Sequence, residues 1–321
     1  MKMTGRTVVA YSEDRELGLQ MLSKGREISD KLGAELSALV LGEGIIDPEE
    51  YITHGADRVL IVDDPALGRF AVETYRGVVL DALKDVDLEV LLIGATKRGK
   101  ELAARVAAAL DTGCMTECFE IDVDEEGRLL GERLTYGGSV ISSQVSTRKP
   151  HIATIPPRTF KKAEPSPREG EISVLDVDIQ DRRMKVVESR KKARGDAGLA
   201  EAPIVVSAGR GFKDEADLKL LEELAETLGA KVGCSRPIAA DLGWMEEWIG
   251  ISGYKISPKL YIACGISGTI QHAAGIRDAQ IIVSVNNQEG ANIHEISDYS
   301  IVGDIYTVIP ALTKALKERM K

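Results

Sequence analysis

The segment LYIACGISGTIQH, residues 260–272, has the pattern of a buried strand, a glycine-containing turn and the first turn of a helix. Its apolar residues are followed by Gly265 and Gly268, which permit a tight turn, and the helical pattern opens at about Thr269. Such a turn directs backbone N–H groups and the positive end of a helix dipole towards one point, an arrangement that suits a pyrophosphate or another anion. A turn whose glycines serve only packing explains this segment, taken by itself, equally well.

Polar residues also follow the neighbouring apolar runs in the C-terminal part of the chain. The carboxyl ends of parallel strands meet at one edge of a sheet, and open α/β sheets bind their ligands at that edge. Each polar residue taken alone is more typical of a strand-end cap or an exposed side chain, but together they place polar groups at the ends of four or five strands. The residues concerned are Arg210, Ser235, Arg236, Ser252, Asn286 and Asp304.

A second glycine-flanked turn, in the run VVSAGRGF, places Arg210 between Gly209 and Gly211 after an apolar strand. The turn differs from the dinucleotide fingerprint because Asp214 stands where that motif requires its third glycine. The sequence therefore disfavours a standard NAD-binding Rossmann unit.

Short apolar runs alternate with helix-like segments in both halves of the chain, which predicts an α/β fold with two doubly wound, mostly parallel sheets. We expect an N-terminal domain at 1–184, a linker at 185–201 and a C-terminal domain at 202–321, with a last helix at about 309–319. The linker is dense in Arg and Lys, poor in apolar residues, and ends in small residues before Pro203.

Two local patterns refine this expectation. In the first domain the runs RLLGERLTYGG, SVISSQVST and HIATIPP are shorter and separated by Gly and Pro, which predicts antiparallel strands added to the parallel sheet. In the second domain Leu221, Leu224, Ala225 and Leu228 share one face of a helix that Gly229 is placed to end.

Charge and composition exclude several classes of partner. The chain of 321 residues has a formal net charge of -10, so a nucleic acid or an anionic membrane surface would be approached against like charge. The basic residues of 185–201 are interrupted by Glu188 and Asp196 and carry no interleaved aromatic residue for base stacking, as expected of a solvated linker. No apolar stretch of signal-peptide or membrane-spanning length occurs, which predicts a cytoplasmic protein without membrane insertion.

The four cysteines predict neither a disulfide framework nor a metal site. Cys114 and Cys118 are the only close pair, and no second Cys or His pair stands nearby to complete four ligands. Cys234 and Cys264 end strand-like runs, where a small buried thiol is the ordinary interpretation.

Residues 203–318 resemble the FAD domain of the electron transfer flavoprotein alpha-subunit family. The runs VVSAGRG, GCSRP, IGISGYKISPKLYIACGISGTIQH, VSVNN and DYSIVGD occur in the order and spacing of that family. The N-terminal domain is similar to the same family through GATKRGKELAARVAAAL, a following TG, and RLTYGG. The resemblance therefore covers the whole chain and implies a Rossmann-like FAD-binding C-terminal domain and an N-terminal domain that contacts a partner subunit.

The resemblance also assigns roles around the flavin ring. Arg236 would lie against the isoalloxazine, Ser252 near its N5 atom and His272 near the pyrimidine carbonyl. A reduced flavin gains negative charge around N1 and that carbonyl, which Arg236 or a protonated His272 would stabilise. The chain departs from some members at Ile251-Ser252, where they carry Gln-Thr, and at Tyr254, where they carry Lys; a hydroxyl at Ser252 is retained.

The rest of the cofactor would extend along the same edge. Ser267 and the turn that follows it would hold the ribityl and pyrophosphate groups, and Asn286 and Asp304 would face the adenosine end. The full set of cofactor-binding residues implied by the resemblance is Arg210, Ser235, Arg236, Ile249, Gly250, Ile251, Ser252, Ser267, Gly268, Thr269, Ile270, Gln271, His272, Asn286, Asp304 and Ile305.

The implied function is electron transfer through a bound FAD as the large subunit of a heterodimer, with no catalytic residue supplied by this chain. The smaller beta subunit would complete the complex and bind either AMP or, in electron-bifurcating members, a second FAD. Acyl-CoA or other dehydrogenases, or NADH in bifurcating members, would donate electrons, and a quinone- or ferredoxin-linked partner would accept them. Oxidoreductase activity would belong to the bifurcating complex.

Two stand-alone enzymes are the alternatives. An ATP-using α/β enzyme needs a glycine- and serine-rich phosphate loop after its first strand, but here TVVAYS is followed by EDRELG, whose carboxylates repel phosphate. A NAD-dependent dehydrogenase lacks its fingerprint at 209–214 and an evident proton-transfer pair.

Overall fold

The chain forms two compact units, Met1–Ser189 and Arg190–Lys321. The linker expected at 185–201 falls mostly outside the residues that the structure describes, so the predicted limits of the two domains stay a prediction. None of the helices in the described part of the chain is long and apolar enough to cross a membrane. The structure is a computed structural model, and the residues it describes are 5–179, 188, 198–199 and 202–319.

The described strands of the N-terminal unit form two separate sheets. They are β1 (Arg6–Tyr11), β2 (Glu35–Gly42), β3 (Arg58–Asp63), β4 (Asp87–Gly94), β5 (Cys114–Met115), β6 (Cys118–Val123), β7 (Leu129–Thr135), β8 (Val140–Val145), β9 (His151–Ile155) and β10 (Glu171–Val174). Seven of them form a parallel sheet in the order β10-β3-β2-β1-β4-β9-β5, which confirms the predicted α/β class.

Helices cover both faces of this seven-stranded sheet. They are α1 (Arg15–Leu32), α2 (Glu49–Thr53), α3 (Val72–Ala82) and α4 (Lys97–Ala109). One core packs α1 against β1, β2 and β4 through residues such as Leu22 and Leu92, and the other packs α3 and α4 through residues such as Val79 and Val106. Burial on both faces explains why β1 and β4 read as continuous apolar runs in the sequence.

The short runs after α4 were predicted only in part. β6, β7 and β8 are antiparallel, but they form a three-stranded sheet of their own instead of extending the parallel one. β9, from the run HIATIPP, joins the parallel sheet beside β4 and is itself parallel. All five residues of β9 are buried, which is the pattern of a strand covered on both faces. The sequence prediction missed this parallel strand because the Gly and Pro residues around it indicated a short antiparallel one.

Residues 156–170, here called the strap, connect β9 to β10 and run along α1. The Gln20 side chain accepts a hydrogen bond from the Arg158 N–H at 2.9 Å, and the Ser23 hydroxyl donates to the Lys161 carbonyl at 2.8 Å. At its far end the Arg168 guanidinium pairs with Asp57, which precedes β3. The strap therefore carries the chain from one side of β1 to the opposite edge of the sheet.

Asp57 holds the end of the strap against the N-terminal unit through its contact with Arg168. Its carboxylate accepts hydrogen bonds from the Leu36 N–H at 2.9 Å and from Arg26 at 2.8 Å, besides the Arg168 contact. Burial raises the pKa of Asp57, but the bonds from Leu36, Arg26 and Arg168 outweigh that effect and hold the pKa below its ordinary value.

We expect Asp57→Ala to destabilise the N-terminal unit by about 1–3 kcal/mol, because a half-buried carboxylate with several partners is lost. Amide hydrogen exchange at residues 158–170 should speed up most. Since the folded-state pKa is depressed, the contribution of Asp57 is present above pH 3.8 and is lost as the pH falls below that value. Asp122→Ala, which removes an exposed pair with Lys31, is the control and should cost at most about 1 kcal/mol. Equal exchange rates in the two variants would contradict this role.

The C-terminal unit contains a single five-stranded parallel sheet within its described residues. Its elements are β11 (Ile204–Ala208), α5 (Leu218–Leu228), β12 (Lys231–Cys234), β13 (Leu260–Cys264), α6 (Ile270–Ile276), β14 (Ile282–Asn286), α7 (Asn292–Glu295), β15 (Tyr299–Val302) and α8 (Ile305–Arg319). A π-helical turn at Pro237–Asp241 follows β12.

Two cores again enclose the sheet, one beneath α5 and α8 and the other beneath α6 and α7. Leu221, Leu224 and Ala225 of α5 are buried as their spacing predicted. Gly229 ends α5 in the left-handed conformation, with φ of 63°, which confirms its predicted place at the helix C-terminus.

Candidate functional site

The strand order of the C-terminal sheet is β12-β11-β13-β14-β15, and every neighbouring pair is parallel. The chain leaves β11 for β12 on one side and later returns to β13 on the other, so the order reverses between β11 and β13. Ligands of open α/β sheets bind at such a switch point, beyond the carboxyl ends of the strands.

The polar residues expected at the strand ends do share this edge. Because all five strands run in the same direction, the residues that end or follow them lie on the same side of the sheet. The structure therefore brings together Arg210 after β11, Ser235 and Arg236 after β12, Ser267 after β13, Asn286 at the end of β14 and Asp304 after β15.

The two glycine turns meet at the switch point, backbone against backbone. The Gly209 N–H donates to the Cys264 carbonyl at 2.8 Å, and the Gly211 N–H donates to the Gly265 carbonyl at 3.0 Å. A Cβ atom on Gly209 would lie 2.2 Å from the Gly265 oxygen. Gly265 itself has φ of 65°, so only glycine fits here without strain. These glycines are thus required for the packing of the turns, whatever binds above them.

Gly268 packs the second turn against the first residues of α7. Its φ is 80°, and a Cβ atom would lie 2.3 Å from the Ile293 nitrogen. The Ile293 N–H donates to the Ser267 carbonyl at 3.1 Å, which fixes the turn from outside. Ile293 was not predicted as part of the site, because nothing in its own segment indicates that a glycine must pack against it.

Asn286 supports the same turn from the neighbouring strand. It is buried, its side-chain N–H donates to the Ile266 carbonyl at 2.8 Å, and its side-chain oxygen accepts from the Gln288 N–H at 2.9 Å. Both ends of the amide are therefore engaged inside the protein, and the contact of Asn286 with an adenosine stays a prediction.

Residues 249–252 form a second wall of the site, between the end of β12 and α6. The Ile249 N–H donates to the Cys234 carbonyl and the Ile251 N–H to the Gln271 carbonyl, each at 2.8 Å. Gly250 has φ of 151°, and a Cβ atom on Gly275 of α6 would lie 2.5 Å from the Gly250 nitrogen. The predicted residues of this segment and those of α6 are thus held side by side.

Two guanidinium groups at this edge are available to an anion. Arg210 and Arg236 are exposed, and within the described residues neither forms an ion pair with a carboxylate. Exposed polar groups of Ser252, Ser267 and Gln271 share the edge with them. Arg210, an unpaired cation within one of the two tight glycine turns, fits the doubly negative pyrophosphate of a dinucleotide.

Two of the predicted cofactor-binding residues, Asp304 and Ile305, also have structural roles. The Asp304 carboxylate accepts a hydrogen bond from the Tyr306 N–H at 2.9 Å and so caps α8. The Ile305 side chain is buried in the core beneath that helix. The structure leaves one Asp304 oxygen and the main chain of Ile305 as the groups that a ligand could contact.

His272 is almost fully buried, with 5% of its surface exposed, and both its ring nitrogens are engaged. The Ile249 carbonyl, 3.1 Å from Nδ1, can only accept a hydrogen bond, so Nδ1 carries the proton. Burial lowers the pKa of His272 from 6.5 to about 4, and the hydrogen bond to Ile249 opposes this only in part. The ring is therefore neutral at pH 7, and the Tyr261 hydroxyl donates to Nε2 at 2.8 Å.

The expectation that a protonated His272 stabilises the reduced flavin is therefore wrong at neutral pH. The sequence could not show the Tyr261 and Ile249 partners, which come from β13 and from the loop that precedes it. Tyr261 is fully buried, and burial raises the pKa of its hydroxyl far above the ordinary value, as a permanent hydrogen-bond donor requires. The place of His272 among the FAD-binding residues stays a prediction.

The lowered pKa of His272 predicts acid sensitivity of the C-terminal unit. The folded-state pKa lies below the unfolded value of 6.5, so stability is full above pH 6.5 and is lost as the pH falls towards 4. At pH 5 the loss should be about 2 kcal/mol. Both tryptophans, Trp244 and Trp248, lie in this unit, so their fluorescence during urea unfolding reports on it.

His272→Gln should flatten the pH dependence between 6.5 and 4, since glutamine does not titrate. The variant should be less stable than the parent at pH 7 and approach it at pH 4.5. Parallel stability curves for the two proteins over this range would show that His272 is not the group that titrates.

The concave surfaces found in the described part of the N-terminal unit are of a different kind. Two shallow concave surfaces there are lined by charged side chains, one including Arg15, Asp47 and Glu50 and the other including Asp64 and Asp176. Neither has a glycine turn at a strand end. Among residues 5–179 and 202–319, no three His, Cys, Asp or Glu side chains are arranged to hold a metal ion.

Comparison with known protein families matches both units. Residues 11–180 match the model of the electron transfer flavoprotein domain, and residues 198–277 match that of the electron transfer flavoprotein FAD-binding domain. The second match includes both glycine turns, residues 249–252 and α6.

Full-length relatives give the same result. The chain is 37% identical to Protein FixB of Clostridium saccharobutylicum over 97% of this chain and 96% of that protein. It is 35% identical to electron transfer flavoprotein subunit alpha of Bacillus subtilis over 98% of each. It is also 34% identical to the LctC subunit of the lactate dehydrogenase (NAD(+),ferredoxin) of Acetobacterium woodii, over 91% of this chain and 71% of that protein.

Proposed function

The chain belongs to the electron transfer flavoprotein alpha-subunit family, and from this we propose that it carries electrons through an FAD held at the switch point between β11 and β13. One observation carries the proposal: two glycine turns and two unpaired guanidinium groups meet at the carboxyl edge of a sheet that matches an FAD-binding domain. The flavin supplies the redox chemistry, and the chain supplies its binding, orientation and electrostatic surroundings.

The protein groups would divide this work along the edge. Arg210 and the turn at 265–268 would hold the pyrophosphate. Its negative charge is complementary to the guanidinium group and to the N–H groups at the start of α6. Arg236 would face the ring, where it favours the reduced form by its charge. Neutral His272 would support the wall at Ile249 and would contribute no charge, in line with its lowered pKa.

The family implies a smaller beta subunit, and we infer that the three-stranded sheet of the N-terminal unit takes part in that contact. Leu134 and Ile141 are direct cross-strand partners on its outer face, Val145 shares that face, and all three are exposed. Tyr136, in the turn between β7 and β8, is 83% exposed. An exposed apolar face of this kind is typical of a surface that a protein partner covers.

The partner subunit would bind AMP in a simple carrier or a second FAD in a bifurcating complex. Acyl-CoA or other dehydrogenases would supply electrons to a simple carrier, which would pass them to a quinone-linked acceptor. The name of the Acetobacterium woodii relative includes NAD(+) and ferredoxin, and this supports a bifurcating complex with a ferredoxin-linked partner as the second possibility. Both versions place the same FAD on this chain.

Co-purification with a beta subunit of the family tests the proposal. The visible spectrum is recorded, the cofactors are released with acid, and FAD and AMP are counted per heterodimer by chromatography. One FAD with AMP supports the simple carrier, and two FAD without AMP support the bifurcating complex. A heterodimer that takes up no flavin after reconstitution would overturn the proposal.

A further inference from the structure

Trp248 lies between the two residues that are expected at the flavin ring. Its indole Nε1 is 3.3 Å from the Ser252 hydroxyl oxygen, and the Arg236 guanidinium carbon lies 6.0 Å from the centre of its ring. Arg236 follows β12, whereas Ser252 is sixteen positions further along the chain, so the indole is what connects the two side chains.

The indole is anchored on its other side. It packs against the core beneath α5 and α8, and the Trp248 carbonyl accepts a hydrogen bond from the Tyr254 N–H at 2.8 Å. A Cβ atom on Gly253 would lie 2.1 Å from the Trp248 carbonyl oxygen and 2.7 Å from its Cδ1, so the turn leaves room for the indole only because residue 253 is glycine. The ring is thus held by the core and lies beside two exposed side chains.

The hydrogen bond to Ser252 has a direction. An indole N–H can only donate, so the Ser252 oxygen must accept, and its own proton remains available to an acceptor such as the flavin N5 atom. The cation–π contact likewise leaves the N–H donors of Arg236 free, because a cation over an aromatic face is held without hydrogen bonds. Trp248 therefore orients both groups and leaves their donors free for a ligand.

We propose that Trp248 is a positioning residue that holds Arg236 and Ser252 in place for the flavin ring and thereby sets the affinity and midpoint potential of the FAD. The proposal rests on the proposed function. Trp248 does not react with the flavin; it limits the rotamers of the two side chains that contact it. Loss of each contact should weaken FAD binding by about two- to fivefold, the equivalent of one exposed cation–π or neutral hydrogen-bond contact.

The test uses the heterodimer with the variants Trp248→Phe and Trp248→Leu. Phenylalanine keeps a ring for Arg236 but has no N–H for Ser252, so it should lose one contact, and leucine should lose both. The matched control is Trp244→Phe, because Trp244 packs partly buried against the same core. FAD affinity is measured by flavin fluorescence, and the midpoint potential of the bound FAD by redox titration.

The expected order of FAD affinity is parent and Trp244→Phe, then Trp248→Phe, then Trp248→Leu. The potential should fall in the same order, by up to about 40 mV for a fivefold change in the preference for reduced flavin. A structural role alone would lower thermal stability without moving the potential at saturating FAD. In the background Arg236→Met, the further effect of Trp248→Leu on potential should shrink, because the charge it positions is gone.

Each failure has a distinct signature. If the parent heterodimer binds no FAD, the proposed function is wrong. If the parent binds FAD but Trp248→Phe and Trp248→Leu match Trp244→Phe in affinity and potential, the positioning role is wrong and the proposed function stands. Should Trp248→Leu fail to fold, Trp248→Phe decides, since it keeps the aromatic core contact.

Discussion

Replacing Arg236 by methionine is expected to lower the midpoint potential of the bound FAD by roughly 65–130 mV. A charge-assisted hydrogen bond contributes about 1.5–3 kcal/mol, and this energy, applied to the reduced form only, converts to that shift for a one-electron couple. Arg236 is exposed at the sheet edge and has no carboxylate partner in the described part of the chain, so its charge is not already neutralised by the protein. The measurement is a redox titration of the reconstituted heterodimer followed by absorbance.

Lysine at position 236 keeps the charge and should recover most of the potential, although it lacks the planar fork of arginine. Arg277→Met is the matched control, because Arg277 is an exposed arginine at the opposite end of α6 from the glycine turn. The assignment of Arg236 to the flavin ring fails if Arg236→Met and Arg277→Met give the same potential.

Gly268→Ala should cost the C-terminal unit about 3 kcal/mol or more and abolish FAD retention. An alanine Cβ would lie 2.3 Å from the Ile293 nitrogen, and a non-glycine residue at φ of 80° is strained by about 1–3 kcal/mol even in open space. The backbone must move to relieve the clash, and the turn that moves is the one expected to hold the pyrophosphate. Urea unfolding followed by tryptophan fluorescence gives the stability, and FAD per chain gives the binding.

The variant Gly229→Ala is a control that separates the effect of backbone strain from the effect of a steric clash. Gly229 also has positive φ, at 63°, but no atom lies within 4 Å of its added Cβ, and it ends α5 instead of facing the switch point. This control should therefore lose only about 1 kcal/mol and keep its FAD. Comparable losses in the two variants would mean that the packing of Gly268 against Ile293 is unimportant.

The sequence predicted the architecture of both units because parallel strands buried on two faces are continuous apolar runs separated by amphipathic helices. The start of the last helix was harder to predict from the sequence. We expected it at about 309, but α8 begins at Ile305, since Asp304 caps it and Pro310 falls within its early turns. A proline there resembles a helix start, and only the capping contact reveals the true one.

The site was predictable to a similar degree. Parallel strands guarantee that the residues at their carboxyl ends share one edge, so Arg210, Arg236 and Ser267 could be grouped without coordinates. Contacts between segments far apart in sequence could not be foreseen. The neutral state of His272 depends on Tyr261 and on the loop carbonyl of Ile249, and neither partner can be assigned from spacing along the chain.

The strap has a consequence for the order in which the chain folds during synthesis. β10 pairs with β3, so the register joins Arg58 to Glu171, and the ribosome must release more than a hundred residues after β3 before its outer edge is covered. Until then β3 presents an unpaired strand edge, the kind of surface that promotes aggregation of nascent chains. A truncation just before Glu171 should consequently yield insoluble protein, even though α1, α2, α3 and α4 would all be present.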